Sequence, residues 1–84
     1  MSKAVRPLLH EAASQLREVG VASPDQEARQ LLAYATGVEL ARLPLVDAVE
    51  DAQAAHFQAL INKRARRVPL QHLTGRAYFR HLEL

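Results

Sequence analysis

The chain contains no cysteine and no tryptophan, and glycine occurs only three times in 84 residues. Without cysteine there is no disulfide framework, no thiolate zinc site and no cysteine nucleophile, a composition that suits a reducing compartment. Gly20, Gly37 and Gly75 lie at least 17 positions apart. A phosphate-cradling loop or a dinucleotide fingerprint needs several glycines within one turn, so neither can be written here. No apolar run approaches the ~20 residues of a membrane span. The stretch behind Lys3 and Arg6 is interrupted by His10, Glu11, Gln15 and Arg17, which is not the pattern of a signal peptide. The expected location is the cytoplasm.

What the chain has in quantity is alanine and leucine, 15 and 13 residues respectively, and few β-branched residues to set against them. That balance favours helices over an all-β domain. A chain of this length buries about 60–65% of its unfolded surface, enough for one modest core. Charged residues make up 24% and the net charge is +2, so the composition is not that of a disordered chain.

Three long helices are predicted. Val5, Leu8, Leu9, Ala12, Leu16 and Val19 form one helical stripe, with the regular helix starting near Arg6 because Pro7 suits a first turn. Gly20 closes it. Ser23-Pro24-Asp25-Gln26 predicts the start of a second helix: a serine cap, proline at the first helical position and a glutamine placed for a capping box. Its inward face is Ala28, Leu31, Leu32 and Ala35, and Thr36-Gly37 ends it. Val38 to Leu43 is expected to form one short helical turn before Pro44, and Leu45 to Ala48 a loop. The third helix is expected from about Glu50 to Arg66, with Ala54, Phe57, Leu60, Ile61 and Ala65 inward. Glu50 and Asp51 complement its positive end, and Lys63, Arg64, Arg66 and Arg67 its negative end. Pro69 stops that helix or starts a fresh turn. Leu82-Glu83-Leu84 alternates, and residues 77–84 are predicted to form a strand. Everything before this strand reads helical, so it has no expected partner in the chain. The expected fold class is therefore all-α: a small helical bundle ending in the first strand of a hairpin that a following strand would complete.

Catalytic chemistry is hard to place. Ser2, Ser14 and Ser23 lack a glycine elbow, and Ser23 is better explained as a cap. Glu11 and Glu18 share a solvent-facing side of a helix, which suits a solvated pair better than an acid–base dyad. His10, His56, His72 and His81 show no H-x-x-x-H pairing, so no metal site is expected. No residue is nominated as catalytic, cofactor-binding or metal-ligating. The one uneven feature is charge: Lys63 to Arg80 holds six basic residues and no carboxylate. Such a cluster suits a solvated helix end, a weak nucleic-acid patch or a protein-docking face. Only Tyr78 and Phe79 could stack on bases there, and the small net charge argues against nucleic acid.

The run Arg64-Ala65-Arg66-Arg67-Val68-Pro69-Leu70-Gln71-His72-Leu73-Thr74-Gly75, followed by Tyr78-Phe79 and Leu82-Glu83-Leu84, resembles a junction in the HemK/PrmC family of release-factor glutamine methyltransferases. Leu31-Leu32 followed by Thr36-Gly37, after a Ser-Pro-started helix, is similar to the second helix of that family. The resemblance implies a two-part enzyme: an N-terminal helical domain, a β-hairpin linker and a C-terminal domain that binds S-adenosylmethionine. Such enzymes methylate the glutamine of the Gly-Gly-Gln loop in class-1 peptide release factors, at translation termination. On this reading residues 1–76 are the helical substrate-recognition domain and residues 77–84 begin the hairpin. The family's Asn-Pro-Pro-Tyr signature does not occur in this sequence, so the fragment is expected to be inactive alone, while its parent is a methyltransferase. Arg64, Arg66, Arg67 and Arg76 are the candidate docking residues for the release factor. Pro69, Thr74 and Gly75 are assigned to setting the direction of the hairpin, and Tyr78, Phe79 and Leu82 to packing at the domain junction. Rival readings are a free-standing nucleic-acid-binding module and a purely architectural brace between domains.

Overall fold

The computed structural model describes residues 2–74. Its elements in chain order are strand β1 (Ser2–Ala4), helix α1 (Val5–Glu18), helix α2 (Pro24–Thr36), a 3-10 turn (Leu40–Leu45), strand β2 (Ala48–Glu50), helix α3 (Asp51–Ala65) and a short helix α4 (Leu70–Thr74). The helical fold class holds, and the three long helices stand where the apolar periodicity puts them. They pack on one another around Phe57, Leu16, Leu31, Leu32, Leu43 and Ile61, the largest fully buried side chains. Leu8, Leu9, Val19, Ala35 and Ala65 sit at the edge of this core, half-buried against it.

The unforeseen element is a two-stranded antiparallel ladder. Ser2 pairs with Glu50, Lys3 with Val49 and Ala4 with Ala48. The Val5 N–H adds a bond of 2.9 Å to the Asp47 carbonyl. Two corrections follow: residues 2–4 are strand rather than the approach to a helix, and Ala48 belongs to a strand rather than a loop. The expectation that everything before the terminal strand is helical is corrected with them. Three-residue strands carry too little alternation to show in a sequence, and their pairing is decided by tertiary packing. Val49 is the anchor, buried in the core between exposed neighbours. Because β1 runs directly into α1 and β2 into α3, the ladder ties the starts of these two helices together.

The ends of the helices follow local chemistry, with further differences from expectation. Pro24 occupies the first position of α2, but the Ser23 side chain makes no capping hydrogen bond. The capping box belongs instead to α3, where the Gln53 side chain accepts a bond of 3.1 Å from the Glu50 backbone N–H. Helix α2 ends as expected, with Gly37 at φ +75° and its N–H bonded to Ala33. Pro44 lies inside the 3-10 turn rather than after it. In a segment of i→i+3 bonds proline removes one donor only, and the Arg42 and Val46 N–H groups still bond to Glu39 and Leu43.

Helix α1 ends in a Schellman motif. The Val21 N–H bonds to the Leu16 carbonyl and the Gly20 N–H to that of Arg17, with Gly20 at φ +88° and Val21 buried beside Leu16. The same pattern recurs at the end of α3: Val68 bonds back to Lys63, and Arg67 to Arg64. Here the residue in the left-handed conformation is Arg67, at φ +76°. It is the one non-glycine residue with positive φ among the described residues, a conformation that costs an L-residue about 1–2 kcal/mol.

Candidate docking surface

Helices α1 and α3 converge at their C-terminal ends, and the basic residues of α3 collect at that corner. Lys63 and Arg64 close the last turn of α3, Arg66 caps it and Arg67 begins the exit. The negative end of a helix favours cations, which accounts for their tolerance of one another here.

The four residues are not equivalent. Arg64 turns inward, with its side chain 19% exposed, and pairs with Glu27 of α2, itself 18% exposed. Its Nε donates to one Glu27 oxygen at 2.6 Å and its outer nitrogen to the other at 3.5 Å, a two-pronged contact that fixes the guanidinium plane. The third guanidinium nitrogen reaches the Val68 carbonyl at 3.4 Å. Arg64 thus joins α2, α3 and the segment leading to α4.

Arg67 is held in another way. Its guanidinium donates a bond of 2.6 Å to the Val19 carbonyl at the end of α1. The backbone of Arg67 closes the end of α3 while its side chain closes the end of α1. Gly20 faces this contact, and a methyl group there would lie 3.4 Å from the Arg67 guanidinium. Arg66 and Lys63 are exposed, and among the described residues their side chains have no ion-pair or hydrogen-bond partner. The corner therefore presents two solvent-facing cations, Lys63 and Arg66, beside two guanidiniums tied to the fold.

Next to it a row of amides bridges α1 and α3. The Gln15 side chain donates to Asn62 at 2.9 Å, and Gln58 donates to both Gln15 and Asn62. None of these contacts was legible in the sequence, because Glu27 and Arg64 stand 37 positions apart and Gln15 and Asn62 stand 47 apart. Glu27 had an adequate local explanation as a first-turn carboxylate of α2.

Of the other candidates, Pro69 precedes α4, whose first bond runs from the His72 N–H to the Pro69 carbonyl. Thr74 ends α4. Gly75, Arg76, Tyr78, Phe79 and Leu82, and the predicted strand over 77–84, lie outside the described residues. Among the described residues no group of three histidines or carboxylates could hold a metal ion, and no helix is long and apolar enough to cross a membrane.

Comparison with known proteins identifies the family. The family model described as the PrmC N-terminal domain matches residues 7–75. A release factor glutamine methyltransferase of Bifidobacterium longum is 42% identical over 85 residues, covering 95% of this chain and 29% of the relative. Proteins of the same name from Streptomyces coelicolor and Mycolicibacterium smegmatis are 45% and 40% identical, over 88% and 95% of this chain and 26% and 28% of their own lengths. The chain thus spans less than a third of the length of these relatives. No solved structure is significantly similar to it. The match over α1 to α4 shows that this chain belongs to the PrmC N-terminal domain family.

Proposed function

We propose that this domain is the substrate-recognition part of an S-adenosylmethionine-dependent methyltransferase that modifies the Gly-Gly-Gln glutamine of class-1 peptide release factors. The observation that carries the proposal is the corner at the end of α3, where Lys63 and Arg66 face solvent without a carboxylate partner among the described residues. Arg67 stands beside them, and Arg76 follows in sequence. A glutamine amide is a poor nucleophile, so its reaction depends on being held in line with the methyl donor. A domain that grips the release factor away from the reacting atoms converts remote binding energy into that alignment.

The chain's own residues do not fit the methyl donor. Its glycines are too scattered for a backbone to approach a nucleotide closely, and the family signature Asn-Pro-Pro-Tyr does not occur in it. Methyl transfer therefore belongs to the rest of the parent enzyme, working in the cytoplasm where release factors act. The role of this chain is binding and orientation alone.

The test is steady-state kinetics of a full-length parent enzyme carrying Lys63→Glu and Arg66→Glu. Reversing two exposed cations should lower kcat/KM for release factor on the order of five-fold, with KM raised. An unchanged KM overturns the proposal.

A second reading, the domain as a brace, is favoured by the inward engagement of Arg64 and Arg67. It predicts that the surface pair can be reversed without effect. Loosening the Arg64–Glu27 pair would instead lower kcat by misaligning the domains.

A further inference from the structure

The far end of α1 carries a second surface, separate from the basic corner. Helix α1 has 14 residues, so its two ends are roughly 20 Å apart. At its start, an open groove of about 660 Å³ lies between the first turn of α1 and the 3-10 turn. The floor is apolar, with Val5 and Leu43 buried and Leu9 and Val46 half-buried. Val46 also lines a shallower hollow next door, together with Arg42 and Leu45, and Leu45 is 82% exposed. A lone exposed leucine is ordinary on a protein surface, but one continuous with an apolar groove enlarges a patch.

Charge at the rim gives the groove a sign. Arg6 of α1 and Arg29 of α2 stand exposed at its edge, against one carboxylate, Asp47. Among the described residues neither arginine has an ion-pair partner, unlike Arg42, which lies 3.7 Å from Glu39. The first turn of α1 holds no acidic residue that would answer them. Two free guanidiniums beside an apolar floor complement a ligand that carries carboxylates around an apolar side chain, because each guanidinium can meet a carboxylate with two parallel donors. No aromatic side chain lines the groove, so a single-stranded nucleic acid finds no stacking surface there.

We propose that this groove docks an acidic segment of a partner protein, with one apolar side chain seated against Val5, Leu43 and Val46 and flanking carboxylates met by Arg6 and Arg29. The inference is independent of the proposed role of the basic corner. It gives the domain two contact points, at opposite ends of α1, for gripping an elongated partner or two partners.

The test is an amide chemical-shift titration of this chain with a capped hexapeptide of two leucines flanked on each side by two glutamates. Shifts should gather on Arg6, Leu9, Arg29, Leu43 and Val46. They should vanish when lysines replace the glutamates and when alanines replace the leucines. Arg6→Glu and Arg29→Glu should each weaken binding about three-fold, and together about ten-fold. Arg6→Glu puts a carboxylate in the first turn of α1, where the helix favours it, so its effect would not arise from unfolding. Equal binding of the lysine peptide, absence of shifts in the groove, or groove shifts produced instead by a ten-residue oligothymidine would each overturn the proposal. Shifts confined to Lys63–Arg67 would overturn it too, while leaving the basic corner as a binding site.

Discussion

Substitution of Arg67 separates two effects that oppose each other at one residue. Its left-handed backbone, at φ +76°, costs about 1 kcal/mol for any L-residue. Its guanidinium bonds to the Val19 carbonyl at 2.6 Å and so closes the end of α1. A charge-assisted bond of this kind contributes about 1.5–3 kcal/mol where it is shielded, and exposure at this corner reduces it to about 1 kcal/mol. Arg67→Ala removes the bond and keeps the strain, so it should destabilise by about 1 kcal/mol. Arg67→Gly removes both, and the relief of strain, offset in part by the greater freedom of glycine in the unfolded chain, should leave it within about 0.5 kcal/mol of the parent. In a domain of this size 1 kcal/mol corresponds to roughly 4–8 °C in Tm. Thermal unfolding followed by far-ultraviolet circular dichroism, with urea unfolding as a second measure, would resolve the difference. An alanine variant as stable as the parent would refute the account of the Val19 bond. A glycine variant less stable than the alanine variant would refute the account of the strain.

Other substitutions probe the rest of the scaffold. Glu27→Gln should destabilise by about 1–2 kcal/mol in urea unfolding, because it leaves the half-buried Arg64 guanidinium without its countercharge; a neutral result would mean that solvent replaces the pair freely. Gly37→Ala should cost about 1 kcal/mol from backbone conformation alone, since nothing lies within 4 Å of the added methyl group. Gly20→Ala should cost at least as much and also weaken the Arg67 contact, which a double-mutant cycle with Arg67→Ala would detect as non-additivity. Phe57→Ala, in the middle of the core, should cost about 3–5 kcal/mol, a large share of the roughly 4–13 kcal/mol expected for a domain of this length, and should lower the urea midpoint accordingly.

The helices were legible because each carries an apolar stripe long enough to define a period. Phe57, Leu60 and Ile61 of α3 face inward as that period requires, as do Ala28, Leu31 and Leu32 of α2. Backbone features that depend on glycine were legible for the same kind of reason: Gly20 and Gly37 stand where a left-handed residue closes a helix. Arg67 adopts that conformation without being glycine, so nothing local announces it. The β1–β2 ladder escaped notice because three residues per strand show no alternation, and its register depends on how α1 and α3 pack. Ser23 had the right identity for a cap and did not make the bond.

The candidate site was legible as a charge cluster and not as an arrangement. A run of arginines at a helix end has one appearance in sequence whether its members face solvent or the fold. What divides them is a carboxylate on α2 and a carbonyl at the end of α1, both contributed by distant parts of the chain. That division turns four similar residues into two exposed cations, Lys63 and Arg66, and two fasteners, Arg64 and Arg67.

The most direct test of the central claim is an amide chemical-shift titration of this chain with an unlabelled class-1 release factor, alongside S-adenosylmethionine as a control. The account predicts shifts gathered on Lys63 to Arg67, lost in the Lys63→Glu, Arg66→Glu double variant, and none with the cofactor. An absence of shifts at high release-factor concentration, with the domain folded, would contradict substrate recognition and leave the domain as a brace.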